Sequence, residues 1–182
     1  MQIFETQFSR AVALFDLLER ADPPLDVLEG ESFAYRMIAA RDGALSVYHF
    51  KRCLDAIKKQ LPRSRSLSAA VDSSKISAIV KRFAVPFPHA DNVRHGIAHA
   101  GETFSSPEKM EFSSMKVPRC GPGFAVDEGG YLLAALHGRT YSVGNKGDVF
   151  SVTPNDVATS NLSTVRTSVT EALPTGPSRH NS

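Results

Sequence analysis

Arg94, His95 and His99 fall within six residues whose other members, Gly96, Ile97 and Ala98, carry no ionisable group. A histidine, with a reference pKa of about 6.5, can take or give a proton near neutral pH. An arginine offers a planar, permanently charged fork that matches phosphate oxygens. His95 and His99 also stand four apart, so on a helix they share a face and can both ligate zinc, with His89 as a third donor. Gly96 stands where helical His-Glu-x-x-His metalloproteases need a glutamate, and no cysteine cluster supports a structural zinc. A plainer chemistry is open to each residue as well. His99 can satisfy carbonyls at a helix end. Arg94 can pair with Asp91 or Glu102 on the surface, a contact worth little.

Whether these groups converge depends on the backbone. Arg94 and His99 are five residues apart, about 140° around a regular helix. They share a site only if the long arginine side chain reaches round, if the helix begins near it, or if the partners come from two chains. Gly96 and Ala98 leave room for another backbone, or another protomer, to approach.

The elements that must position this segment are mostly helical. Phe4, Phe8, Ala11, Val12, Phe15 and Leu18 recur at spacings of three and four, which predicts a first helix over 2–21, stopped at Asp22-Pro23-Pro24. Phe33, Met37, Ala40, Ala44, Val47, Leu54, Ile57 and Leu61 predict a second over 32–61, ended by Pro62. A loop of about ten residues between them implies an antiparallel pair, and Gly43 allows a neighbour to pack closely. Pro62 to Ser74 reads as a polar, serine-rich connector. A shorter helix from about Val71 to Phe83 turns Ile76, Ile79, Val80 and Phe83 inward. Pro86 and Pro88 then break the chain, Asp91 or Asn92 caps the helix that carries the Arg-His segment, and Gly101 ends it. Beyond it, Cys120 to Gly130 reads as loop, and residues 139–152 alternate around Gly144-Asn-Lys-Gly147 as a β-hairpin. Tyr131 to Leu136 adds a possible third strand. Pro154 opens a last helix to about Leu173, with Val157, Leu162, Val165 and Val169 inward. Residues 1–173 are expected to form one domain and 174–182 a disordered tail.

Composition bounds the function. The chain has 182 residues and a net charge of +2, but residues 51–94 hold ten Lys and Arg against three Asp and Glu, whereas residues 1–50 hold four against eight. A basic middle ending at Arg94 favours a polyanion nearby, or is a solvated helix face. The two cysteines, Cys53 and Cys120, have no framework spacing, so a reduced cytoplasmic setting is expected, with Cys53 a small packing residue. Glu5 and the amphipathic start predict no secretion signal, and no segment is apolar for long enough to span a bilayer. In the second helix, Arg41, Asp42 and His49 either line a site opposite the Arg-His helix or face water, and Tyr48 reads as packing. The Gly144 to Gly147 stretch lacks phosphate-loop spacing and reads as a turn.

The segment resembles the signature of the HEPN superfamily: an arginine, then a polar residue, then a histidine after a gap of four to six. Here these are Arg94, His95 and His99 with a gap of four, flanked by apolar Val93, Ile97 and Ala98. Two long helices ahead and one behind match the family's order. The likeness covers roughly residues 1–100 and the last helix, and it makes 102–153 an insertion that the pattern does not require. It implies a mainly α, antiparallel helical bundle of four or five helices, with a small β-hairpin inserted before the last helix. It further implies a metal-independent endoribonuclease, of toxin or antiphage type, acting without a cofactor or metal as a homodimer, with an antitoxin protein as a further partner. His99 would serve as general base or acid in 2′-OH attack on the adjacent phosphate, Arg94 would clamp the phosphate, and His95 would orient the site. Asn92, Arg41, Asp42 and His49 would contact RNA. A silent member of the superfamily would instead bind RNA or nucleotides, or serve as a dimerisation module.

Overall fold

The computed structural model describes residues 1–20, 29–98, 105–114, 120–121, 124–125, 133–145 and 148–173. Helix α1 spans Gln2–Arg20 and α2 spans Glu29–Gln60. A 3-10 turn, Leu61–Arg63, follows, and then α3 (Arg65–Ala70), α4 (Ser73–Ala84), α5 (Ala90–Ala98) and α6 (Pro107–Ser113). Strands β1 (Cys120–Gly121) and β2 (Phe124–Ala125) pair with each other. Strands β3 (Ala134–His137), β4 (Thr140–Asn145) and β5 (Asp148–Val152) form an antiparallel sheet with β4 at its centre. Helix α7, Asp156–Ala172, closes the described chain. The fold is mainly helical with a small sheet, as the periodicity predicts.

The apolar stripe of α1 buries Phe8, Ala11, Val12 and Phe15 against α2. Phe4 meets His49 at one end of the pair and Ala11 meets Gly43 further along, so the two helices run antiparallel. A Cβ on Gly43 would lie 3.0 Å from Pro154 Cγ and 3.5 Å from Ala11 Cβ. The glycine thus admits both a neighbouring helix and the proline ahead of α7. Phe50 of α2 stacks on Phe83 of α4 with centroids 5.7 Å apart, and Phe87 continues the stack at 5.1 Å. Helix α7 buries Ala158, Leu162, Val165 and Val169, packs on α4 and α1, and is tied to α1 by an Arg166–Glu5 ion pair.

In the sheet, Tyr141 and Val143 of β4 point into the core, opposite Val152 and Phe150 of β5. The turn from β3 to β4 places Gly138 at φ +56°, a left-handed conformation that glycine adopts without strain. The next residue, Arg139, reaches α1. Its guanidinium donates to Asp16 at 2.5 Å and to Glu19 at 2.5 and 3.0 Å, and its carbon lies 5.7 Å from the Phe15 ring centre. The hairpin is therefore latched to the helical layer.

Several expectations need correction. The stretch expected as a connector after Pro62 holds the 3-10 turn and α3, which Ser64 caps by accepting from the Leu67 amide. Helix α6 and the β1–β2 pair lie where no element was expected. The third strand expected over Tyr131 to Leu136 is present as β3, which begins at Ala134 and runs on to His137. Phe33 is 54% exposed and Val157 is 70% exposed, so neither belongs to the core. The last helix opens at Asp156 rather than at Pro154, and Asn155 caps it by accepting from the Ala158 amide at 2.8 Å. Residues 21–28, Gly101, Lys146, Gly147 and 174–182 lie outside the described residues.

Candidate functional site

Helix α5 buries Ala90, Val93 and Ile97, a stripe at spacings of three and four that packs on α2. Between these stand Asn92 and Arg94, half-buried, and His95, exposed. Neither Asp91 nor Asn92 caps the helix; it begins at Ala90, and Asp91 sits in its first turn. Asp91 accepts from Lys51 of α2 at 2.8 Å, and the same ammonium reaches Asp55 at 2.9 Å. Burial pushes the Lys51 ammonium towards its neutral form, but the two carboxylates outweigh it and hold its pKa above the ordinary lysine value. Asp91 is thus committed to lysine, and the surface pairing expected between Asp91 and Arg94 is replaced by this one.

Gly96 takes one of its two expected readings, the approach of another backbone. The space it leaves is filled by the same chain: a Cβ there would lie 2.9 Å from Val143 Cγ2 and 3.5 Å from the Gly144 carbonyl oxygen. The small residue is required because β4 lies under α5, not because a second protomer approaches there. Ala98, by contrast, is exposed.

Arg94 lies over Tyr48 of α2, its guanidinium carbon 5.6 Å from the ring centre. Such a cation–π contact contributes about 0.5–1 kcal/mol at an exposed site and fixes the plane of the fork. Tyr48 meets the His49 ring edge-on at 5.2 Å, and His49 stacks on Phe4 of α1 at 5.2 Å with 24° between the planes. Phe4, His49, Tyr48 and Arg94 therefore form one strip crossing α1, α2 and α5. Sequence reasoning identified Arg94 and His49 but read Tyr48 as packing and Phe4 as core. The contact that unites them joins residues far apart in the chain, and only Tyr48's position next to His49 hinted at it.

No described contact brings Arg41, Asp42 or His89 against Arg94. Asp42 and His49 line a groove of about 510 Å³ between α1 and α2, with Arg10, Gln7, Leu14 and Ile38 among its walls. Arg41, next to Asp42, is exposed; its charge partly offsets the burial that raises the Tyr141 hydroxyl above its ordinary value. His89 packs against Phe150 with centroids 5.2 Å apart and lines a separate cavity of about 270 Å³. His99 lies outside the described residues, so the Arg94–His99 and His95–His99 pairings do too. Among the described residues no group of three His, Cys, Asp or Glu side chains could hold a metal, and no helix is long and apolar enough to cross a membrane. Cys53 is a half-buried free thiol.

No protein-family model, curated protein or solved structure matches this chain.

Proposed function

We propose that this chain binds single-stranded RNA along the Phe4–His49–Tyr48–Arg94 strip. The observation that carries the reading is the guanidinium of Arg94 laid on the Tyr48 ring beside His49. An aromatic face next to a fixed cation offers a base a stacking surface and its phosphate an anchor, the two elements of sequence-tolerant single-strand binding. Exposed Arg52, Lys58, Lys59, Arg63 and Arg65 continue the positive charge along α2 and into α3, which supports a backbone running in that direction.

The test is fluorescence anisotropy of a labelled uridine 12-mer at two salt concentrations, with EDTA present. Salt-sensitive binding is expected. Tyr48→Leu should weaken it roughly tenfold, the loss of one stacked base, and Arg94→Ala by a similar factor. A well-folded protein that ignores RNA at low salt, or binding that Tyr48→Leu leaves unchanged, refutes the reading.

A second reading, metal-independent cleavage of the bound strand, draws on a separate observation: the exposed His95 follows Arg94 directly on the same short helix. In this HEPN-like reading Arg94 holds the phosphate while His99 or His95 moves the 2′-OH proton. RNA cleaved in EDTA, with DNA spared and activity lost in Arg94→Ala and His99→Ala, supports it. Bound but intact RNA leaves the chain a binding module.

A further inference from the structure

The groove of about 510 Å³ between α1 and α2 is explained neither by the RNA strip nor by the core. Its floor is made of small buried side chains, Ala11, Ala39 and Ser46. The Ser46 hydroxyl already gives its proton to the Asp42 carbonyl at 2.8 Å. At one end Phe4 of α1 stacks on His49 of α2, with centroids 5.2 Å apart, and the ring pair closes the groove. The opposite end is aliphatic and open: Leu14 is half-buried and Ile38 is 53% exposed. Arg10 and Asp42 line the middle from opposite helices. Ala11 and Gly43 meet across the helix pair, and each charged residue directly precedes one of them. The two therefore stand within about one residue rise, 1.5 Å, of a common level. Both are exposed, and neither makes an ion pair with another described residue.

We infer that this groove binds a free α-amino acid with an aliphatic side chain. The charges select the class. A phosphate or other anion would satisfy Arg10 but face Asp42, an amine would do the reverse, and a neutral apolar molecule would leave both without a partner. A zwitterion that carries its two charges on one carbon pairs both at once. Its carboxylate accepts from the Arg10 guanidinium, and its ammonium donates to the Asp42 carboxylate. The side chain then has one direction open to it, because the Phe4–His49 stack closes the other. It lies on Leu14 and Ile38 and covers apolar surface that otherwise faces water. The groove's volume falls in the range of small-molecule pockets, about 300–1,000 Å³. Phe4 and His49 border both the groove and the RNA strip, but neither charge that selects the amino acid belongs to the strip, so the site stands whether or not Arg94 and Tyr48 hold RNA.

The test is amide chemical-shift mapping of the full chain titrated with L-leucine into the millimolar range. Saturable shifts are expected across residues 7–14 and 38–46, which line the groove. Leucine amide, which lacks the carboxylate, and N-acetyl-leucine, which lacks the ammonium, should each bind roughly tenfold more weakly, the loss of one charge-assisted contact. Glycine, which lacks the side chain, should also bind more weakly than leucine. Arg10→Gln should lower leucine to the level of leucine amide and leave leucine amide unchanged. Asp42→Asn should do the same for N-acetyl-leucine. Both positions are exposed, and circular dichroism controls for folding. No shifts in the groove with leucine, equal binding of leucine and both analogues, or variants that keep the wild-type preferences would each overturn the inference. A uridine 12-mer that shifts the groove residues where leucine does not would also overturn it, and would assign the groove to the RNA strip.

Discussion

Replacing Gly96 by alanine measures how tightly α5 is seated on the sheet. The added methyl would stand 2.9 Å from Val143 Cγ2 and 3.0 Å from Val143 Cβ. Val143 is 2% exposed, and its Cβ, 3.0 Å away, does not move when the side chain turns about χ1, so no rotamer relieves the contact. The Gly144 carbonyl at 3.5 Å closes a further side. Two effects oppose. Alanine is favoured over glycine inside a helix by about 1 kcal/mol. Forcing a methyl into a packed contact costs about 1–3 kcal/mol. The expected balance is a loss of about 1 kcal/mol, read as a fall in Tm of roughly 2–4 °C for a chain of this size. Val143→Ala alone removes two buried methyls and costs about 2 kcal/mol. In the double variant the new methyl enters the vacated volume, so the combined loss should fall short of the sum by about 1 kcal/mol. Urea denaturation of the four proteins supplies the cycle. A Gly96→Ala protein that gains about 1 kcal/mol, as an alanine in open helix would, with additive effects in the double variant, would refute the seating of α5 on β4.

Two further outcomes follow from the charged contacts. Lys51→Met removes the ammonium held between Asp91 and Asp55; it should cost about 1 kcal/mol and speed amide exchange across residues 90–98 more than across α1, and equal exchange would show that the apolar face alone holds α5. Arg139→Met removes the donor that, through hydrogen bonds to Glu19, holds that carboxyl below its ordinary 4.5. A lowered carboxyl pKa stabilises the fold above 4.5, and the gain is lost as pH falls through the lowered value. The stability gap between wild type and Arg139→Met should therefore narrow from pH 7 to pH 3, while the packing of Arg139 on Phe15 leaves a remainder; a gap that stays constant with pH would remove the ion pairs from the account.

Period and punctuation revealed the long helices because one stripe faces one neighbour. Phe8, Ala11, Val12 and Phe15 of α1 behave this way, as do Leu162, Val165 and Val169 of α7. In α2 a single stripe fails. That helix meets α1, α4, α5 and the sheet, so Ala39 and Phe50 are buried off the expected line while Phe33 on it stays exposed. At the start of α7, Val157 and Ala158 are both apolar neighbours, and composition cannot choose which turns inward. Helices α3 and α6 are too short to show a period, yet each left a legible cap: Ser64 accepts from the Leu67 amide, and Ser106 precedes Pro107 and accepts from the Lys109 amide. The same limit applies at the site. Arg94 was legible by type and spacing, but its partner Tyr48 was not, because nothing local marks a ring that a later helix will cover.

The sheet alters how the Arg-His segment must be understood. The HEPN resemblance would make residues 102–153 an insertion that its pattern does not require. A nine-residue helix such as α5 does not hold itself in water, so its direction is imposed by what touches it. Contacts from two layers do so: from α2, the Ala90–Val93–Ile97 stripe and the Lys51–Asp91 ion pair at its first turn; from the sheet, Val143 of β4 beneath Gly96. The sheet that supplies the last of these is itself latched to α1 through Arg139. Arg94 thus lies on Tyr48 of α2 while β4 of the sheet lies beneath Gly96 of the same helix. A change in the hairpin is for this reason expected to act on the guanidinium's orientation as directly as a change in α2.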